Sequence, residues 1–561
     1  MVDVCIIGSG AGASPVAYEL SKAGFKVVVL EKGPYLKTED FNKDELVVTR
    51  KDLYIPNLKD ERHEIVQLNK QTGEWEGKST EESGSDFWNG NVVGGSSNFM
   101  SGYFHRMKPV DFKLKSTYGP IDDANIEDWP IDYEELEPYY AKVEHLIGVS
   151  GKVELHKHLE PRSESEFPYP PLATNVVSEL IDKAASTLNI STFNTPRAIL
   201  SKPKEGRKSC YYSNFCGSYG CSSDAKGSAR AALLEEALLT GNLTIIPFAK
   251  VHHLTTNGKG TITEAKYYDK EGLVNSIKAK IFVVGAQATE TARLLLMSKN
   301  AEFPNGLSNN NNQVGKNIVY SGGGIGSCEL VYADFDHDTA EKLAVPGLFV
   351  NRASQEWYEL EEKDSGKKLK GGTVDFLWEH ANPISKAMRA KWNGNTLLFG
   401  SELKTKMHQY FTKQRVLKFE VFNDWLPNDN CFVELSDTIV DKWGDPVGKI
   451  WIGNHPHDEK IGDMIGEKTV KIMKEMGGKN ISWSVSSYPS VNLQAGGCRF
   501  GENPKTSVLD KNCKSHEVEN LYVTDGSFMP TGGSVTYTFT IYANAFRVAD
   551  NIIERLKSTS N

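Results

Sequence analysis

Two groups of residues have the types and spacing to do chemistry. The first is the glycine-rich turn Gly8-Ser-Gly10-Ala-Gly12-Ala13, with an acidic residue, Glu31, further along. In a turn of this kind Gly8 permits the tight bend and Gly10 lets the backbone approach a pyrophosphate. Small Ala13 stands where a third glycine usually lets helix and strand pack closely. The helix that follows turns its free N–H groups toward the phosphates. Glu31 falls where a carboxylate binds the hydroxyls of an adenosine ribose. The second group is Cys210, Cys216 and Cys221, three of the eight cysteines crowded into twelve residues. They read equally as small buried hydrophobes or as a redox-labile loop disulfide. Zinc is disfavoured because no fourth ligand lies at a usual interval.

The elements that must position these residues are legible around them. Val2 to Ile7 is a short apolar, β-rich run leading into the turn. An amphipathic stretch with Val16 and Leu20 follows, breaks at Gly24, and gives way to a second apolar run from Val27 to Leu30. Strand, turn, helix and strand make one βαβ unit. The pattern alone does not separate FAD from NAD.

Composition bounds what surrounds that unit. A chain of 561 residues is too long for one ordinary core, so a second domain or layer is expected. Basic residues number 64 against 73 acidic, a net charge of −9, which leaves no electrostatic footprint for nucleic acid. No apolar run reaches the roughly 20 residues that cross a bilayer, so no membrane span is expected. Eight cysteines in this length do not make a disulfide scaffold. The chain enters a folded element almost at once, with no signal-like segment. A cytoplasmic location is therefore the default, the alternative being periplasmic export with a partner that carries the signal.

Four further segments, in order, resemble the glucose–methanol–choline (GMC) family of FAD-dependent oxidoreductases. They are Asn91-Val-Val-Gly94-Gly95-Ser96-Ser97-Asn98, followed by Arg106 and Asp111; the run Asn242 to Val251; Ile281 to Arg293 with its Gly285-Ala286-Gln287 turn; and Gly496-Gly497-Cys498-Arg499-Phe500-Gly501, with Asp525-Gly526 and Gly532-Gly533 behind it. The detail is closest to bacterial sugar and gluconate dehydrogenase-like members, among which Trp129-Pro-Ile-Asp-Tyr133 is typical.

The resemblance implies an α/β fold. A Rossmann-like FAD-binding domain would be assembled from residues 1–35, 86–112, 195–320 and 485–561. An α+β substrate domain with a mainly antiparallel sheet, the roof, would take 36–85, 113–194 and 321–484. Runs such as Gln414 to Phe422 alternate apolar and polar residues as half-buried strands should. The implied cofactor is FAD, held by Gly8, Gly10, Gly12, Ala13, Glu31, Gly94, Gly95, Ser96, Asn98, Val251, Asp525, Gly526 and Thr538. The implied reaction is oxidation of a CH–OH group of a sugar, glycoside or polyol, with electrons going to an acceptor other than NAD. A small electron-transfer or chaperone subunit is an implied partner. In some sugar dehydrogenases of the family three cysteines hold an iron–sulfur cluster, so Cys210, Cys216 and Cys221 are its candidate ligands here, although their spacing is wider.

One departure stands out. The family's proton-accepting histidine falls on Leu493, and its histidine or asparagine partner falls on Thr536, with Tyr537 where proline is usual. Leucine accepts no proton, and threonine is no base at neutral pH. The nearest polar substitutes are Gln494, Thr536 and Tyr537; His105, His455 and His457 are further candidates to reach in from the roof. Loss of alcohol oxidation, leaving a flavin-binding electron-transfer module, and non-redox lyase-type chemistry are the alternatives.

Overall fold

The computed structural model describes residues 1–46, 62–83, 90–362, 365–485 and 488–560. The expected boundary between residues 85 and 86 lies outside them. Val2–Ile7 (β1), Ser14–Lys22 (α1) and Val27–Leu30 (β2) form the βαβ unit, with β1 and β2 parallel and Ile7 opposite Leu30. Four apolar residues at the end of β1 and all four of β2 are buried, as strands covered on both faces must be. The parallel sheet runs Leu243–Ile246, β2, β1, Val274–Val284, Leu521–Val523. Two strands more than 200 residues later in the sequence thus flank β1 and β2, and the flavin-type domain is discontinuous, as the resemblance implied. The N-terminal half of Val274–Val284 leaves the sheet and joins an antiparallel meander with Ile262–Tyr268 and Lys250–Thr256.

The roof is a six-stranded antiparallel sheet. Its order is Lys479–Val485, Gly324–Val331, Gln414–Asn423, Gly372–Trp378, Arg352–Ser354, Phe193–Asn194. The alternation in Gln414–Asn423 now has a direction. Leu417, Phe419 and Val421 are buried with Ile461, Ile465 and Ile472 of the helix Pro456–Glu475, each such side chain stabilising by about 2 kcal/mol. The intervening residues Lys418, Glu420 and Phe422 lie on the other face, where the ring of Phe422 meets Tyr103 of the flavin domain at 6.2 Å between centroids.

The division between the two bodies differs from the sequence expectation in three places. Glu64–Leu68 and Trp75–Ser79 join Phe432–Val440 and Pro446–Ile452 in a separate four-stranded sheet. Ile65, Val433, Ile450 and Ile452 of that sheet, and Tyr133, Leu136 and Tyr140 of the helix Tyr133–Val143, are buried in the same apolar core as β1 and β2. By packing, these segments side with the flavin domain rather than with the roof. Sequence distance gave no hint of this, since apolar periodicity says that a face is buried but not against what.

A buried network of charges ties the stretch after the glycine-serine loop to that helix. Arg106 pairs with Glu144 at 2.9 Å and Glu137 at 2.8 Å, Arg162 with Glu144 at 2.6 Å and Glu160 at 3.2 Å, and Lys108 with Glu160. Burial pushes the Glu160 carboxyl up, but the Lys108 ammonium and Arg162 guanidinium outweigh it and bring the group down to about 2 from an ordinary 4.5. A carboxyl lowered on folding contributes stability above its unfolded pKa and loses it as pH falls toward the folded one. Glu160→Gln is therefore expected to be less stable than the parent near neutrality, by about 2 kcal/mol. In denaturant melts the difference should hold down to about pH 4.5 and shrink toward pH 2. A difference independent of pH contradicts the assignment.

Candidate active site

One elongated cavity runs from the end of β2 to the start of the C-terminal helix Thr538–Ser560. It is lined at one end by Glu31, Lys250 and Val251, along its middle by Gly8, Gly10, Gly12 and Gly95, and at the other end by Met100, Leu493, Gln494, Tyr537 and Thr538. Because Ile7 lies opposite Leu30, the Glu31 side chain reaches back over the glycine turn. Ser9 Oγ donates to Glu31 Oε2 at 2.5 Å, Gly33 N–H donates to Oε1 at 2.9 Å, and Gly94 N–H donates to Ser9 Oγ at 2.9 Å. Burial pushes the Glu31 carboxyl above its ordinary value, with these hydrogen bonds working against the shift.

The glycines differ in what they make room for. Gly8 sits at φ +90°, and a Cβ there would lie 2.3 Å from the carbonyl oxygen of Gly285. A Cβ on Gly12 would lie 2.5 Å from the Asp525 backbone. Gly10 is different: the nearest atom to its Cβ would be Gly95 Cα at 4.0 Å, so that side chain would grow into the cavity. Gly8 and Gly12 hold chain against chain, while Gly10 leaves room for a ligand. Ala13, Gly94 and Asn98 do not line the cavity. Ala13 packs under Gly285, and Asn98 Nδ2 donates to the carbonyls of Val93 and Gly95, both at 3.0 Å, fixing the loop. Asp525 lines the cavity with its carboxylate already committed, accepting from Gln287 N–H at 3.0 Å, Thr291 Oγ at 2.5 Å and Ser527 N–H at 2.9 Å.

At the Val251 end, charged residues close the cavity. Lys250 pairs with Asp441 and with Asp445 at 2.7 Å; Arg293 pairs with Asp441 at 2.7 Å; Glu290 pairs with His63 at 3.0 Å. Asp441 and Asp445 lie beside the four-stranded sheet that sequence reasoning had assigned to the roof. Burial alone would raise the Glu290 carboxyl, yet Arg293 holds it well below the usual range.

At the other end, the three proposed proton-handling residues are engaged by the protein. Gln494 accepts from Thr289 Oγ at 2.9 Å and donates to the Val491 carbonyl at 2.7 Å. Thr536 Oγ donates to the Tyr103 carbonyl at 2.8 Å and is absent from the cavity lining. Tyr537 is buried, donates its hydroxyl to the Tyr320 carbonyl, and is raised well above the ordinary tyrosine value by that burial, with Asp424 and Asp458 adding to it. As a base Tyr537 is therefore corrected: it would have to surrender a committed proton in the least favourable surroundings. Leu493 lines the cavity as an apolar wall. The histidines do not reach in. His105 pairs with Asp375 at 2.9 Å, and His455 and His457 line a separate cavity.

Cys210, Cys216 and Cys221 do line one cavity, a space of about 100 Å³ that shares Ser101 with the elongated one. All three are free thiols, and among the described residues no three His, Cys, Asp or Glu side chains form a set that could hold a metal ion. Lys226 Nζ pins the loop by donating to the carbonyls of Tyr219 at 2.8 Å and Cys216 at 3.0 Å. Burial pushes the Cys210 thiol up to about 12, whereas at Cys221 the Lys226 charge overrides burial and the thiol falls below its ordinary value.

A discontinuous parallel sheet, a glycine turn opening on a long cavity and an antiparallel roof together describe a dinucleotide site under a substrate domain. The GMC oxidoreductase profiles match residues 78–320 and 427–545, and an NAD(P)-binding Rossmann-like domain profile matches 6–50. The chain belongs to the GMC oxidoreductase family. Relatives within it include the 2-methyl-1,2-propanediol dehydrogenase of Mycolicibacterium austroafricanum, 28% identical over 99% of this chain and 95% of that one. The fructose dehydrogenase large subunit of Gluconobacter japonicus is 26% identical over 99% and 98%. Among solved structures, pyridoxine 4-oxidase from Mesorbium loti superposes with a TM-score of 0.63 at 16% identity, over 98% of this chain and 99% of that one, a likeness of fold.

As a GMC oxidoreductase the protein is an FAD enzyme, and the cavity fits that cofactor. A carboxylate stands at the adenosine end, and the backbone at Gly10 is bare where a pyrophosphate must pass. Two expected outcomes follow. Gly10→Leu should fold with near-parental thermal stability yet carry little FAD by visible absorbance. Gly12→Leu, by contrast, should lose folding and flavin together. Full FAD occupancy in Gly10→Leu contradicts this placement. The thiol readings make a further distinction: on brief alkylation near neutrality, Cys221 should label well before Cys210 by peptide mass spectrometry, and Lys226→Met should abolish the advantage.

Proposed function

We propose that the protein oxidises a secondary or primary CH–OH group of a polyol, sugar or glycoside, passing electrons to an acceptor other than NAD. The observation that carries this reading is the cavity. It runs along the glycine turn, where one dinucleotide would lie, and ends at Met100, Leu493 and Tyr537. Relatives named for a diol and for fructose support the substrate class, and the relative that is the large subunit of a larger enzyme supports a partner subunit as electron outlet. Bound FAD supplies the hydride acceptor. The chain's own residues then bind the hydroxyl, hold the reacting carbon against the cofactor and take the proton.

Proton removal would then fall to a group outside the two positions, Leu493 and Thr536, where the resemblance places the family's pair. Glu420 stands on the inner face of the roof strand Gln414–Asn423, directly across from Asp375. It is close enough to Tyr103 that its charge raises the Tyr103 hydroxyl, adding to burial. The Tyr103 carbonyl in turn anchors Thr536, the position of the family's second proton-handling residue. Glu420 is thus the carboxylate we assign as proton acceptor, on the side of the roof sheet that meets Tyr103, and a positioned carboxylate base accelerates by roughly 10²–10⁴-fold.

Steady-state reduction of a soluble dye with a panel of diols, hexoses and glycosides, beside NAD as acceptor, tests the function. Turnover with at least one hydroxyl donor and the dye, and none with NAD, is expected. Silence across the panel in FAD-loaded protein contradicts it. With the best donor, Glu420→Gln should lower kcat by at least about tenfold, leaving FAD content unchanged. A kcat equal to the parent's leaves the function standing and removes Glu420 from it.

A further inference from the structure

The stretch 383–413 is built unlike the rest of the chain. It comprises the helix Pro383–Ala390, a hairpin of Trp392–Asn393 with Thr396–Leu397, and the helix Gly400–Thr412. Neither helix has a single buried residue. Only Leu398 in the intervening loop is buried. The large apolar side chains instead point outward: Ile384, Met388, Trp392, Leu397, Phe399 and Phe411 range from 44% exposed at Trp392 to 79% at Phe399. Ile384 and Met388, four residues apart, share one side of the first helix, and Trp392 opens the hairpin that follows it. Six large apolar groups in water on one short excursion are not what a solvated surface keeps without a use.

Charge distinguishes what would cover them. The same stretch carries six basic residues, Lys386, Arg389, Lys391, Lys404, Lys406 and Lys413, against one acidic residue, Glu402, in a chain whose net charge is −9. Apolar and cationic side chains alternate along it rather than forming a dry groove with a polar rim. Exposed tryptophan and other large apolar groups interspersed with lysines on one peripheral excursion are the composition of a segment lying in a bilayer interface. No helix among the described residues is long and apolar enough to cross a membrane, so the contact would be peripheral.

The excursion is held to the protein by polar ties rather than by a core. Glu379 gathers Lys386 at 3.3 Å, Arg389 at 3.4 Å and the Tyr410 hydroxyl, while Glu45 accepts from the backbone N–H groups of Ile384 at 2.6 Å and Ser385 at 2.8 Å. Lys406 Nζ closes the second helix onto the Trp392 carbonyl at 2.6 Å. Glu379 and its neighbour His380 also line the cavity that shares Ser101 with the cofactor site. The element therefore stands at the edge of that cavity and would bring it to the surface on which the element rests.

We propose that residues 383–413 dock the protein on an anionic lipid bilayer, with Met388, Trp392, Leu397 and Phe399 entering the interface and the lysines meeting the headgroups. The test is co-sedimentation of the full-length FAD-loaded protein with phosphatidylcholine vesicles, with and without phosphatidylglycerol. The expected result is binding that requires phosphatidylglycerol and weakens in high salt. The double variants Met388→Ser/Phe399→Ser and Lys391→Glu/Lys404→Glu should each lose at least about tenfold in vesicle partitioning while keeping FAD content and thermal midpoint. All four positions are solvent-facing or nearly so, so folding is not at risk. Three results overturn the proposal: no sedimentation with anionic vesicles, undiminished binding by both double variants, or a self-associated protein that Met388→Ser/Phe399→Ser converts to monomer without any vesicle binding.

Discussion

The close approach of separate chain segments around one long cavity is the constraint on which everything else rests. Gly12 bears no side chain because Asp525 backbone lies where a Cβ would be, and Gly8 meets Gly285 in the same way. Segments drawn from within 8–12, 90–101, 249–251, 285–297, 493–494 and 525–541 are remote in sequence, yet each contributes residues to the wall of one space. The hydrogen-bonded chain from Gly94 N–H through Ser9 to Glu31 fastens three of the cavity's walls together. A pyrophosphate-bearing cofactor can lie along such a wall only if the backbone itself, not side chains, faces it. The discontinuity of the domain follows, since no single stretch could supply every wall.

What was legible in the sequence is what this constraint writes into residue types. The turn at Gly8–Ala13 and the carboxylate at Glu31 are local, because a tight turn, a small contact and a strand end each demand a particular residue at a fixed offset. The strand Gln414–Asn423 was legible as half-buried for the same reason. Its facing was not: a period of two says that alternate residues differ in surroundings, and only the helix Pro456–Glu475 decides that Phe419 is core and Glu420 looks inward. The sheet holding Phe432–Ile452 and Glu64–Ser79 was misassigned for a related reason. Its apolar residues pack on the flavin domain through partners hundreds of residues away.

The proton-handling end shows where a motif stops being informative. Leu493 and Thr536 mark what is missing, but a replacement does not have to occupy the vacated position. The side chains next in sequence proved to be structural: Gln494 is spanned between Thr289 and Val491, and Tyr537 is donated to Tyr320. A base can instead come from a different part of the chain. The cysteines illustrate the converse. Their crowding in sequence did place all three on one cavity, yet shared lining is a weaker condition than convergence on a single ion.

FAD held in this cavity would take the hydride of a CH–OH donor bound at its Leu493 end. The most direct measurement is anaerobic rapid mixing of the FAD-loaded protein with a candidate polyol, followed in the visible flavin band, using the donor with hydrogen or deuterium on the carbinol carbon. The account expects the band to bleach without oxygen or NAD, and to bleach several-fold more slowly with deuterium, because the C–H bond is the one that breaks. A band that dithionite bleaches but no hydroxyl compound does would contradict it.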